Sequence, residues 1–297
     1  MRILVAVDQE PYSRYAVNEV ARFAESTWAN VTILGVEPRK RGKSSGSVDS
    51  LKDMKMTHPL AMALSRYQEE FLSHFKRDEC PYIQRDFGYE LVEVKRRVWE
   101  ELYVAKSARK ELKARIRIGN PAKEILADAV EEDCDLIVIG CDNTKGCEWG
   151  SGSGIPQKVA NDAHCSVLIA KEEKRVEKIV CCLDHDRVSQ ESLEMINQLV
   201  TQHSAKLEII GLIENRELPS EVEKKMASVL KYYTDRHVQP LVETVHLSSL
   251  DAFIAQEARW GLMALWMGKK SILKRVFPRK NVTRLIKGSE SSVLILR

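Results

Sequence analysis

The chain has 297 residues, 44% of them hydrophobic and 30% charged, with a formal net charge of +3. That length holds two ordinary domains, each with a core of its own, and the composition excludes a disordered chain. So small a net charge gives no case for nucleic acid as a partner.

From the N-terminus, "RILVAV" reads as a buried strand running to Asp8, and after a polar turn Val17, Val20, Ala21 and Ala24 recur on one helical face. A second apolar run reaches Val36 and completes a βαβ unit. A basic, Ser and Gly rich loop, "PRKRGKSSGSVDS", follows. Helical patterns are then expected at 60 to 78, where Leu64, Tyr67, Phe71, Leu72 and Phe75 form an apolar stripe, and at 88 to 105, where Leu91, Val94, Val98 and Leu102 form another. Such stripes cover the domain's own sheet or meet a partner, and the residues leave both open. In "GNPAKEIL" Asn120 is placed to cap a helix whose first position is Pro121. "DLIVIG" returns to strand, crosses a polar, glycine-rich run, and reaches helix and strand again in "QKVANDAHCSVLIAK".

The pattern then repeats. At an offset of 176, Ile3, Asp8, Ser13, Ala29, Ile33 and Gly35 meet Ile179, Asp184, Ser189, Ala205, Ile209 and Gly211 without a gap. A later match, "GNPAKEILADAVEEDCDLIVIG" to "LSSLDAFIAQEARWGLMALWMG", has an offset of 128, so the first copy carries 48 extra residues. The expected domains are 1–172, with a helical insertion at about 39–106, and 176–297, joined by the charged "KEEKRVEK". Apolar runs with little alternation suit strands buried on both faces. Alternating with helices, they give an α/β chain: two tandem doubly wound sheets of about five mainly parallel strands, Rossmann-like, with helices on both faces.

A strand ending in Val-Asp, the "GNPAKEIL" helix start, "DLIVIG" and a glycine loop leading into "QKVANDAHCSVLIAK" together resemble the universal stress protein family, once per half. The resemblance implies a tandem member, a non-catalytic stress-response regulator whose domains pair within the chain, with a homodimer as a further option. It also implies a candidate ATP site in the first half. There Asp8 and Val36 correspond to positions that meet the nucleoside, and Gly140, Asn143, Gly152, Ser153 and Gly154 fall in the phosphate loop. The family's G-x-x-G, nine residues, G and Ser or Thr is met only in part. Its second glycine falls on Asn143, and the final pair appears as Ser153 and Gly154, in reversed order. Free amides matter more to a phosphate than these side chains, so a site and a phosphate-free loop both remain open.

In the second half no Gly-Ser pair occurs where expected, and residues 268 to 288 hold eight Lys or Arg and no acid. ATP is not expected there; a nucleotide-independent protein-interaction module, using the insertion helices or this basic segment, is the alternative reading. The cysteines at 80, 134, 141, 147, 165, 181 and 182 are expected as reduced thiols, and a metal or catalytic role for His185 between Asp184 and Asp186 is not expected. Neither a P-loop nor a nucleophile elbow is present, so no dedicated enzymatic activity is anticipated. "MRILVAVD" lacks the regions of a signal peptide, and "GLMALWMG" falls well short of the roughly 20 residues of a membrane helix, so a cytoplasmic protein without membrane contact is expected.

Overall fold

The computed structural model describes residues 1–39, 58–76, 78–82, 90–102, 109–142, 146–150, 154–172, 176–183, 188–213, 220–267 and 279–297. The first apolar runs form β1 (Arg2–Val7) and β2 (Asn30–Pro38), paired in parallel across the helix α1 (Ser13–Thr27). Helix α2 (Pro59–Ser73) buries Leu64, Tyr67 and Phe71 of the expected stripe, and β5 (Leu112–Gly119) follows as the neighbour of β2. The chain then returns through α3 (Pro121–Glu131) to the other side of β1, where β6 (Leu136–Gly140) pairs in parallel with it. Helix α4 (Ile155–Asp162) and β7 (Ser166–Ala170) complete the half.

The helix expected at 88 to 105 is not formed. Residues there make a hairpin, β3 (Glu90–Lys95) and β4 (Val98–Leu102), which adds to the outer edge of β5. The proposed stripe does not share one face: Val98 is buried at 4% exposure whereas Val94 is 52% exposed. A run dense in Val favours the pleated surface, and Arg97 takes a left-handed φ of 65° in the turn.

Further along lie β8 (Lys178–Leu183), α5 (Gln190–His203), β9 (Lys206–Ile213), α6 (Ser220–Thr234) and β10 (Leu241–His246). Helix α7 (Leu250–Glu257), β11 (Leu262–Trp266), a last helix α8 (Arg279–Gly288) and β12 (Val293–Leu296) close the chain. The strand orders β5-β2-β1-β6-β7 and β10-β9-β8-β11-β12 are the same, and all pairs within them are parallel. Helix α6 occupies in the second order the place of α2 in the first, so among the described residues the hairpin is the element without a counterpart. The two sets meet where β7 and β12 pair antiparallel, with Leu168 opposite Leu294, giving one sheet of 12 strands.

Helices reinforce that seam. The Lys171 ammonium, just after β7, donates to the Ile286 and Ser289 carbonyls at the end of α8, while the Arg297 guanidinium, just after β12, donates to Ala160 at 2.6 Å and Asn161 at 3.1 Å at the end of α4. Each half thus caps the carbonyl end of a helix in the other, where a cation is favoured. Burial pushes the Lys171 ammonium down to about 8.

Between α1 and α5 the buried Glu19 carboxylate accepts from His203 Nε2 at 2.8 Å, Gln202 at 2.9 Å and Arg22 at 2.7 Å. His203 Nδ1 accepts the Val176 amide, which leaves Nε2 as the donor. Burial by itself would raise the Glu19 carboxyl, but the His203 hydrogen bond and the Arg22 charge outweigh it and hold the group below its ordinary 4.5. A depressed carboxyl stabilises fully above its unfolded value and loses that contribution as pH falls through the folded one. Glu19→Gln is expected to lower stability at neutral pH by about 1.5–3 kcal/mol and to flatten the loss on acidification below pH 4.5, read from urea midpoints across that range. Equal acid sensitivity in both proteins would remove Glu19 as its source.

Candidate functional site

The strand order places a topological switch between β1 and β6, since the chain leaves β1 toward β5 and comes back to β6 on the other side. Open α/β sheets hold their ligands in the crevice beyond the carboxyl ends of such strands. A cleft of about 330 Å³ opens there. Val36, Pro38, Leu60 and Pro121 supply apolar walls, Asp8, Glu10 and Glu37 an acidic rim, and Trp149, Gly150 and Ile155 the side toward α4.

Local sequence explains how these parts are held. Asn120 accepts the Lys123 amide at 3.2 Å and starts α3 with Pro121 at its first position, as its residue type and the following Pro predict. The buried Asp128 carboxylate then receives Arg115 at 2.9 Å and Arg117 at 2.7 Å, tying α3 to β5 and so fixing Pro121 in the wall. Leu60 comes from the start of α2, where the His58 ring accepts its amide at 3.3 Å.

Asp8 is the centre of a hydrogen-bonded web. Its Oδ1 accepts from the Ser13 hydroxyl at 2.7 Å and the Glu10 amide at 3.0 Å, and its Oδ2 accepts from the Tyr12 hydroxyl. Tyr12 in turn accepts the Gly150 amide, so one phenol links the end of β1 to the loop that precedes α4. Burial raises the Asp8 carboxyl, and its hydrogen bonds to Tyr12, Ser13 and Glu10 offset part of that rise. Burial also raises the Tyr12 phenol, which stays protonated and available to donate. Asp8 therefore performs the turn-capping role open to any Asp after a strand and still faces the cleft.

The structure brings Asp8 and Val36 into one cleft, as their strand ends suggest. Gly154 takes a φ of 72° directly before α4, whose first residue, Ile155, lines the same cleft. Gly140 serves packing: a Cβ there would stand 2.4 Å from the Tyr12 carbonyl oxygen, so only glycine lets the end of β6 approach α1. Asn143, Gly152 and Ser153 lie outside the described residues, as do Asp184, His185 and Asp186 of the second half and the first part of its basic segment. Tyr12 was not singled out by sequence. Its one signal is that position 12 aligns with Val188 in the repeat, where no phenol is available.

The expectation of reduced thiols fails at one pair. Cys141 and Cys147 form a disulfide, while Cys80, Cys134, Cys165, Cys181 and Cys182 remain thiols. Directly after β6 the chain turns back on itself, with the Cys147 amide donating to Asp142 at 2.9 Å and the Asp142 amide to Glu148 at 3.2 Å, which brings the two sulfurs together. Spacing alone cannot reveal this, because six intervening bonds of chain say nothing of the reversal.

A sequence model of the universal stress protein family matches residues 1–171. A universal stress protein of Methanocaldococcus jannaschii is 26% identical over 169 residues, which is 54% of this chain and 92% of that protein. A solved universal stress protein from Archaeoglobus fulgidus superposes with a TM-score of 0.62 at 13% identity, covering 100% of this chain and 98% of that one. The cytoplasmic domain of a prokaryotic cation chloride cotransporter superposes with a TM-score of 0.51 at 11% identity, covering 99% and 94%. At these identities the likeness to both solved structures is one of fold.

Because the contact at Gly140 is with backbone, which cannot swing aside, Gly140→Ala is expected to cost about 1–3 kcal/mol in denaturant unfolding. An unchanged midpoint would mean that the end of β6 does not rest on Tyr12.

Proposed function

The chain belongs to the universal stress protein family, and from that premise we propose a tandem member that acts as a non-catalytic regulator, its first half holding ATP or a related nucleotide. The observation that carries this reading is the meeting of Asp8 and Val36, from separate strands, in one cleft beside the start of α4. The nucleoside lies between the apolar walls, with ribose hydroxyls donating to Asp8. The phosphates extend toward the loop that contains Gly140, Asn143, Gly152, Ser153 and Gly154, where amides ahead of a helix favour an anion. Occupancy would alter a surface beside that loop, read by another protein in a cytoplasmic setting.

A second reading, protein interaction without nucleotide, is favoured by one feature of the second half. A groove of about 460 Å³ between α7 and α8 has Ile254, Ala258 and Leu285 as its floor and Arg259, Arg284 and Asp251 on its rim, with Arg284 and Asp251 paired at 3.2 Å. The charge of Arg259, with the Lys and Arg residues of α8, suits an acidic partner.

Calorimetric titration with ATP, after release of any copurifying nucleotide, separates the two. Saturable heat is expected, with Asp8→Asn weakening binding by about tenfold through loss of a charged acceptor. No heat at millimolar ATP would leave only the second reading. Phosphate release measured alongside is expected to stay at the buffer background.

A further inference from the structure

The loop that separates β6 from α4 carries chemistry that nucleotide binding does not use. The Cys141–Cys147 disulfide closes a ring of seven residues, and the two residues next but one beyond it, Trp149 and Gly150, form one side of the cleft. One hydrogen bond ties the ring to α4, the Gln157 amide donating to the Cys147 carbonyl at 3.1 Å, and two more tie the stretch just beyond the ring to the end of β1, the Gly150 amide donating to Tyr12 and Tyr12 to Asp8. Gly146 and Cys147 hold consecutive left-handed conformations, φ 70° and 63°, the second of which an L side chain adopts reluctantly.

We propose that Cys141 and Cys147 form a reversible thiol–disulfide site whose oxidised state fixes the Trp149–Gly150 wall for ligand and whose reduced state releases it. As a statement about ligand affinity it rests on the nucleotide reading above; as a statement about the wall it does not. In reduction, one thiolate of a small dithiol attacks either sulfur, a mixed disulfide forms, and the other cysteine leaves as thiolate. The second thiol of the reductant then displaces the remaining cysteine. Two electrons pass to the protein, its two sulfurs take up protons, and the dithiol becomes a cyclic disulfide. Oxidised glutathione, or another small disulfide, reverses the exchange.

Two features set the pair apart from the four buried thiols and from the second half, and a third governs its rate. Burial pushes the free thiols Cys134, Cys165 and Cys182 up to about 12, 11 and 12, and Cys181 well above its usual range, so none is a ready thiolate near neutral pH. No cysteine follows Cys182, so the corresponding loop of the second half lacks the device. Both Cys141 and Cys147 are fully buried, so exchange requires the ring to open and is slow unless that opening is easy. A ligand that favours the closed wall must, by reciprocity, make the reduction less favourable at equilibrium by the same coupling.

The test uses the full chain in both states. Thiol titration in denaturant should find five thiols after incubation with oxidised glutathione and seven after dithiothreitol, from the seven cysteines and the one disulfide. Seven thiols in both would overturn the proposal. Reduction should raise exchange at the Gly150 amide and shift the fluorescence lost in Trp149→Phe; protection and emission unchanged between the states would also overturn it. ATP should bind about fivefold or more weakly to the reduced form, the lower end of ordinary coupling, and should shift the dithiol–disulfide equilibrium toward the oxidised form by the same factor. The double variant Cys141→Ser/Cys147→Ser should behave as the reduced protein and ignore both reagents. If neither state binds ATP the nucleotide reading fails, and the Gly150 exchange and Trp149 emission alone decide the redox site. Equal ATP binding by two states that differ in those signals would overturn the coupling to ligand.

Discussion

Strands β7 and β12 carry the unbroken apolar runs "SVLIA" and "VLIL", and each would leave its own five strands with a bare, greasy edge. Pairing them with one another removes both edges at once and buries every residue of the two strands. Antiparallel pairing relates the two sets of strands by an approximate two-fold, and the contacts beside it obey that relation. The residue after each strand, Lys171 or Arg297, reaches the carbonyl end of the helix that precedes the other. The rest of the architecture depends on this seam. It sets α1 against α5 around Glu19 and α4 against α8, where Asn161 meets Thr283 at 3.3 Å.

The seam reaches the cleft through α4. That helix is clamped at its carbonyl end by Arg297, and its other end stands beside Trp149 and Gly150. A short helix held at one end transmits little bending, so changes in the loop before it are absorbed locally, by the Gly150 amide and the Tyr12 phenol. Position 12 is also where the repeated βαβ units part company, since the repeat carries Val188 there. Ser13 and Ser189 remain equivalent in sequence but differ in use: Ser189 caps α5 by accepting the Ser192 amide, whereas Ser13 is drawn to Asp8. The first half has diverted a helix-capping hydroxyl to the Asp8 carboxylate that lines its cleft.

What could be read from sequence follows from how local each signal is. Parallel strands buried on both faces, as at "ILVAV" and "DLIVIG", announce themselves by composition, and Asn120 with Pro121 marks a helix start by residue type alone. The α/β class followed from such signals, whereas the strand order is given by the structure. The hairpin at 90–102 did not, because Leu91, Val94, Val98 and Leu102 fit a helical spacing by count while β5 offered an open edge for strands to join. The disulfide and the Tyr12 link were equally hidden. Both depend on a chain reversal after β6 that brings residues 12 and 150 together across the sheet end, and no spacing encodes that distance.

The acidic rim constrains how any nucleotide would enter. Asp8, Glu10 and Glu37 can accept from ribose hydroxyls or an exocyclic amine, but in a partly desolvated cleft they repel phosphate oxygens more strongly than water would allow. If the base sits between Val36, Leu60 and Pro121, the phosphates leave past Gly150 toward the start of α4, and there they still pass Asp8, whose Oδ2 lies 3.2 Å from where a Gly150 Cβ would stand. That exit is the stretch the Cys141–Cys147 ring holds in place, so the segment with the most control over the anionic end of a ligand is also the one whose covalent state can change.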